Sequence, residues 1–165
     1  MLSGLSAHDD QVRVVERFLR KNRVDFEILR HRESDGRTSS EAARAWGTTI
    51  ASVIKSLILL DGHGEALMVL VQGHKRLDLK RTELLTNRSG LRLAHPDEVL
   101  QLTGYDVGGI PPIALGRKIQ VVVDEGVTGL AWVFGSAGSR YAGLKIKPMD
   151  LVRLNNARIG DVTEK

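Results

Sequence analysis

The stretch Gly104-Tyr105-Asp106-Val107-Gly108-Gly109-Ile110-Pro111-Pro112 places two flexible residues directly before two rigid ones. Adjacent glycines reach positive φ and leave no Cβ between the backbone and a ligand, while prolines hold φ near about −65°. Such a segment is a stiff loop with exposed backbone N–H groups, either a tight structural turn or a cradle for a ligand. A second chemical feature is Lys55, the one charge in Val53-Ile54-Lys55-Ser56-Leu57-Ile58-Leu59-Leu60. A lysine in so apolar a run either carries its ammonium past the end of a sheet to water or faces an anion or carbonyl in a pocket. A third is Gly135-Ser136-Ala137-Gly138-Ser139, which reads as a small-residue loop after a strand.

Other chemistries fail on the residues. There is no cysteine, so disulfides, thiolate metal sites and a cysteine nucleophile are excluded. The five histidines, His8, His31, His63, His74 and His95, show no HxH or HExxH spacing, so no metal site is expected. No GxSxG elbow or Walker A pattern occurs, and the glycines from Gly104 to Gly109 do not make GxGxxG in a βαβ setting. No cofactor is called for. What remains is a pocket of backbone donors with one ammonium, which suits binding and polarising a carbonyl or ester better than covalent catalysis.

The elements that must position these groups follow from periodicity. Val12, Val15, Phe18 and Leu19 share one stripe of an amphipathic helix over Ser6 to Asn22, with Asp9 and Asp10 expected in its first turn. Val24 to Leu29 alternates as a short strand, and His31 to Arg37 reads as a loop. Thr38, with Glu41 three residues on, opens a helix that Gly47 ends. Ser52 to Leu60 and Ala66 to Val71 form a hairpin about Asp61-Gly62-His63-Gly64. After the basic turn His74-Lys75-Arg76 come a helix over Leu77 to Thr86, a short strand over Leu91 to Ala94 and a helix opened by Pro96 that delivers the chain to Gly104. Strands over Ile119 to Asp124, Leu130 to Phe134 and Leu144 to Ile146, a helix from Pro148 and a last segment from Ala157 to Val162 complete the chain. Helices interspersed among six or seven strands with a hairpin give an α/β (α+β) domain with a mixed, mostly antiparallel sheet.

With 165 residues, one domain over 1–165 is expected. Lys and Arg number 24 against 20 Asp and Glu, a net charge of +4, partly clustered at Arg20-Lys21-Asn22-Arg23, Arg30-His31-Arg32, His74-Lys75-Arg76 and Lys80-Arg81, which permits a polyanionic partner. No signal pattern and no apolar run of about 18 residues is present, so a soluble cytoplasmic protein without a membrane partner is expected.

Ile54-Lys55-Ser56-Leu57, Gly73-His74-Lys75-Arg76-Leu77-Asp78-Leu79-Lys80 and Thr103-Gly104-Tyr105 followed by Val107-Gly108-Gly109-Ile110-Pro111-Pro112 resemble the motifs of the YbaK/ProX-type aminoacyl-tRNA deacylases, relatives of the bacterial prolyl-tRNA synthetase editing domain. The resemblance covers roughly Thr38 to Asp150. It implies a compact YbaK-like fold and hydrolysis of the ester joining a wrong amino acid to tRNA. It makes Lys55 the essential lysine, and Gly108 and Pro112 the ends of a GxxxP motif whose backbone holds the aminoacyl ester and terminal adenosine. On that basis Lys55, Gly108 and Gly109 are the expected catalytic groups, the two glycines as amide donors. Ile110, Pro111, Pro112, Tyr105, Ser136, Gly138, Thr38 and His31 are the expected substrate-binding residues. The implied partner is mischarged aminoacyl-tRNA, carrying alanine, serine, threonine or cysteine on tRNA-Pro or a related tRNA; an aminoacyl-tRNA synthetase is a further partner the resemblance allows. Gly143 stands where some members carry an aspartate, and Pro111 where a serine is usual. The missing acid leaves room for a catalytically weak tRNA-binding or regulatory module, and the pocket alone for a small-molecule binding domain.

Overall fold

The computed structural model describes residues 3–31 and 38–165. The loop expected over His31 to Arg37 therefore lies, beyond His31, outside the described residues. Among those described, six helices and eight strands form two sheets. The first helix, α1 (Ser3–Lys21), starts earlier than its apolar stripe suggests, so Asp9 and Asp10 fall past its first turn; Arg20 and Lys21 occupy the last turn, where cations suit the dipole. Val12, Val15 and Leu19 are fully buried by this helix.

Strand β1 (Phe26–Arg30) pairs antiparallel with β7 (Ala142–Ile146), which pairs antiparallel with β6 (Val133–Ser139), giving a three-stranded sheet. The second sheet runs, in spatial order, Arg92–Leu93 (β4), Ile54–Leu60 (β2), Ala66–Gln72 (β3), Gln120–Asp124 (β5) and Arg158–Gly160 (β8). Its hairpin joins β2 (Ile54–Leu60) to β3 (Ala66–Gln72) through Asp61, whose carboxylate accepts from the His63 and Glu65 amides. The two-residue β4 (Arg92–Leu93) flanks β2 antiparallel, whereas β5 (Gln120–Asp124) and β8 (Arg158–Gly160) add in parallel. This sheet is thus mixed, with two antiparallel and two parallel pairings, and over both sheets four antiparallel pairings outnumber two parallel ones, as expected, although the strands divide between two sheets.

Period-2 alternation on β2 sends Ile54 and Ile58 into the larger core, with Met68, Leu70, Val121, Val123 and the buried faces of α1, β6 and β7. Leu57 and Leu59 face the other way, into a core with Val69, Val71, Val122 and Val162. Short helices close the fold: α2 (Ser39–Ala45), α3 (Leu79–Thr86) capped by Asp78, α4 (Pro96–Thr103) with proline in its first turn, α5 (Glu125–Thr128) and α6 (Pro148–Leu154). The sequence pattern did not foresee α5, a single turn capped by the Asp124 carboxylate. That buried carboxylate also accepts from the Val162 amide at 2.9 Å, tying the end of the chain to β5.

The small-residue segment Gly135 to Ser139 is not a loop. It continues β6, with a register shift between Ser136 and Ser139 that marks a bulge. At its centre Gly138 has φ +101°, and a Cβ there would lie 3.1 Å from the Gln11 carbonyl oxygen and 3.2 Å from a Tyr105 ring carbon, so the glycine lets α1 close onto the strand.

Candidate active site

A cavity of about 230 Å³ opens where the two sheets meet, at the parallel bridge between Val53 and Phe134. Four segments wall it: α2 with Thr38 and Ser39 at its start, the first half of β2, the loop from Val107 to Ile110, and the bulged end of β6 with Arg140. Lys55 projects from β2 into this wall and is half-buried. Among the described residues its ammonium has no ion-pair or hydrogen-bond partner, and no carboxylate lines the cavity. Lys55 and Arg140 thus give the described lining its positive charge, with apolar surface from Ala42, Trp46, Val53 and Ile54 beside it.

The glycine-proline loop is held at both ends. Asp106 to Gly109 is a four-residue turn closed by the Gly109 N–H donating to the Asp106 carbonyl at 2.9 Å. Its third residue, Gly108, has φ +91°, which a residue with a Cβ adopts only under strain. The Val107 carbonyl turned outward by this geometry accepts from Arg140 Nε and Nη2 at 3.3 and 3.1 Å. At the far end the Asn155 side-chain amide donates to the Pro112 carbonyl and accepts from the Ala114 N–H, both at 2.9 Å. One side chain thus supplies the donor and acceptor that a neighbouring strand would give, for a segment in which two prolines offer no N–H.

These contacts sort the expected site residues. Lys55, Gly108, Ile110, Ser136, Thr38 and His31 line the cavity. Gly109 does not; it is buried, and its amide is committed to Asp106, so the expected pair of glycine donors reduces to Gly108, whose N–H has no partner among the described residues. Pro111 and Pro112 are buried behind the wall, Pro112 packing where Gly135 leaves room beside Ile54. Tyr105 and Gly138 meet in the core below the cavity, and burial pushes the Tyr105 phenol up. Thr38 spends its hydroxyl capping α2, accepting from the Glu41 amide at 3.1 Å. Ser136 spans the bulge, donating to the Ser139 carbonyl and accepting from the Gly138 amide. The His31 ring stands edge-on to Trp46, with centroids 5.6 Å apart.

Three contributors escape a reading of the sequence. Arg140 and Asn155 act through main-chain carbonyls 33 and 43 residues away. Trp46, legible only as a helix-end residue, packs its indole on Gly143, where a Cβ would lie 2.4 Å from Cε2. A side chain at position 143 and this indole compete for one space, which gives a steric reason for glycine at the position where the resemblance suggested an acid.

The model of the aminoacyl-tRNA editing domain matches residues 33–154. The chain belongs to this family. As an editing-domain protein it is an aminoacyl-tRNA deacylase, an ester hydrolase. It is 21% identical over 150 residues, 90% of this chain and 92% of the relative, to a proposed Cys-tRNA(Pro)/Cys-tRNA(Cys) deacylase, EbsC, of Enterococcus faecalis. It is 36% identical over 101 residues to the proline–tRNA ligase of Trichlorobacter lovleyi; that match takes in 59% of this chain and 17% of the ligase. Among solved structures, a proposed trans-editing enzyme for prolyl tRNA synthetase superposes with a TM-score of 0.84 at 31% identity, over 94% of this chain and 98% of that one. No helix among the described residues is long and apolar enough to cross a membrane.

Proposed function

We propose that this editing-domain protein acts in trans, clearing a small amino acid (alanine, serine, threonine or cysteine) from tRNA-Pro or a related tRNA. The observation that carries the proposal is a cavity lined by both the Lys55 ammonium and the Gly108 N–H, neither of which has a partner among the described residues. An aminoacyl ester is already activated, so orienting a water and stabilising the oxyanion is enough to hydrolyse it. One placed oxyanion donor is worth about 10²–10³ in rate. The Lys55 ammonium meets the ester carbonyl or the adjoining phosphate, and Gly108 donates to the developing oxyanion. Among the described residues no carboxylate lines the cavity, so these residues position the water and offer no acidic side chain to deprotonate it. Action in trans is supported by relatives that this chain covers almost end to end. Such editing answers a real deficit, because one methylene gives a synthetase only about 10- to 200-fold discrimination.

The test is a deacylation panel of Ala-, Ser-, Thr- and Cys-tRNA with cognate Pro-tRNA as control, run with the native protein and Lys55→Ala. We expect one or two of the small esters to be cleaved, Pro-tRNA to survive, and Lys55→Ala to lose at least about a hundredfold in rate, the scale of one lost transition-state contact. Full activity of Lys55→Ala, or no cleavage of any mischarged tRNA, would overturn the assignment. The latter outcome would leave the weak-module alternative.

A further inference from the structure

Main-chain hydrogen bonding along an antiparallel strand alternates between its two edges. Two bonds outside the ladders establish the phase on β2. Just past β3, the Gly73 N–H donates to the Val53 carbonyl at 2.6 Å, and just past β4 the Ala94 N–H donates to the Ile58 carbonyl at 2.9 Å. Val53, Lys55 and Leu57 therefore turn their peptide groups toward β3, while Ile54, Ser56 and Ile58 turn theirs to the opposite edge. On that edge β4 pairs with Leu59 and Leu60 only, and β6 touches at the Val53–Phe134 bridge. Between these two covers no strand among the described residues pairs with Ser56, which lines the cavity beside Lys55. A main-chain N–H and C=O left on a part-buried wall cost free energy until a partner takes them.

We propose that the Ser56 main chain binds the aminoacyl group as though it were one residue of an added strand. An α-amino acid ester carries a donor, the α-ammonium, and an acceptor, the carbonyl, on the same carbon. These complement the Ser56 C=O and N–H just as one residue of an antiparallel hydrogen-bonded pair complements its partner. The proposal rests on the deacylase function above and deepens it: Ser56 supplies the second carbonyl donor that Gly109, committed to Asp106, does not. It also orients the substrate. In such a pair, an L-residue directs its side chain to the face shared by Ser56, Ile54 and Ile58, so the cavity's apolar wall at Ile54 meets the amino-acid side chain.

Amide hydrogen exchange by NMR tests this with two hydrolysis-resistant probes, 3′-alanylamido-3′-deoxyadenosine and its propionylamido counterpart, which lacks the α-amine. In the free protein the Ser56 amide exchanges quickly although it lies mid-strand, while the Lys55 and Leu57 amides on either side are protected. Saturation with the alanyl probe slows Ser56 exchange at least about tenfold, and the propionyl probe binds about tenfold more weakly, as loss of a charge-assisted hydrogen bond implies. A Ser56 amide already protected in the free protein overturns the proposal. So does alanyl binding that shifts Lys55 or Gly108 resonances with Ser56 exchange unchanged, or equal affinity of the two probes; in these cases the deacylase function stands. If the alanyl probe does not bind, the proposal falls, and the fate of the deacylase function is read separately from hydrolysis of mischarged tRNA.

Discussion

Replacing Gly143 with alanine adds one methyl group, and two opposing effects decide its sign. The backbone at Gly143 is not in the positive-φ region, so alanine fits it and would by itself stabilise by about 0.4–1 kcal/mol through the unfolded chain. Against this, the new Cβ would lie 2.4, 2.5 and 2.8 Å from Trp46 Cε2, Nε1 and Cζ2, where carbon atoms pack at about 3.5–4.0 Å. The three contacts fall on a rigid indole, which must move as a body against Ala42, Ala43 and Val53. Overpacking of this kind costs about 1–3 kcal/mol, which set against the entropic gain leaves a net loss of up to about 2.6 kcal/mol. For a chain of this size each kcal/mol lowers Tm by about 2–4 °C, so Gly143→Ala should melt up to roughly 10 °C below the native protein. Thermal unfolding followed by circular dichroism on a double-mutant cycle with Trp46→Ala separates the causes. Once the indole is gone, adding the methyl should cost nothing or stabilise slightly, giving a coupling of at least about 1 kcal/mol between the two positions. Because Trp46 also walls the cavity, the single Gly143→Ala variant should change the ranking of mischarged tRNAs it cleaves. Equal destabilisation by Gly143→Ala in the native and Trp46→Ala backgrounds would refute the steric argument.

Two further outcomes are expected. Glu98 accepts a two-pronged contact from Arg92 at 2.8 and 2.9 Å and a third bond from the His95 amide, and this holds its carboxyl at about 2, below its ordinary 4.5. A depressed carboxyl stabilises the fold fully above its unfolded value and loses that contribution as pH falls from about 4.5 toward 2; NMR titration should show this, with Arg92→Ala returning Glu98 toward 4.5. The exposed turn His74-Lys75-Arg76 adjoins Gly73, against which Ser39 of the cavity wall packs, so Lys75→Ala/Arg76→Ala should raise KM for tRNA, keep kcat and flatten the salt dependence of binding by about one unit of log–log slope per cation; an unchanged slope would remove this turn from the tRNA surface.

Much of the architecture could be read from short-range chemistry. Thr38 and Pro96 signal helix starts through rules that span a few residues, and Asp61-Gly62-His63-Gly64 closes a hairpin whose strands announce themselves as apolar runs. The small residues from Gly135 to Ser139 misled, because glycine and serine carry the same turn signal whether the chain leaves a sheet or bulges within one. What decided between them was α1, pressed on Gly138 from more than a hundred residues upstream. Lys55 was legible because one charge in an apolar strand stands out locally. The loss of Gly109 as a donor was not, since adjacent glycines look alike until the turn between Asp106 and Gly109 assigns one amide inward.

The loop that presents Gly108 has little to hold it in its own sequence beyond that one turn. Its shape depends on Arg140, which enters with the β6–β7 hairpin, and on Asn155, which closes α6. The Lys55 wall depends likewise on where pairing stops: β4 is two residues long, so the edge of β2 stays open just where the lysine emerges. Lengthening β4 toward Ser56 would add ladder hydrogen bonds and close the cavity from that side. Under the proposed binding mode, the fold forgoes sheet pairing at the position where a substrate's own donor and acceptor would complete it, and keeps rigid, by bonds from two distant elements, the opposing loop against which that substrate would be aligned.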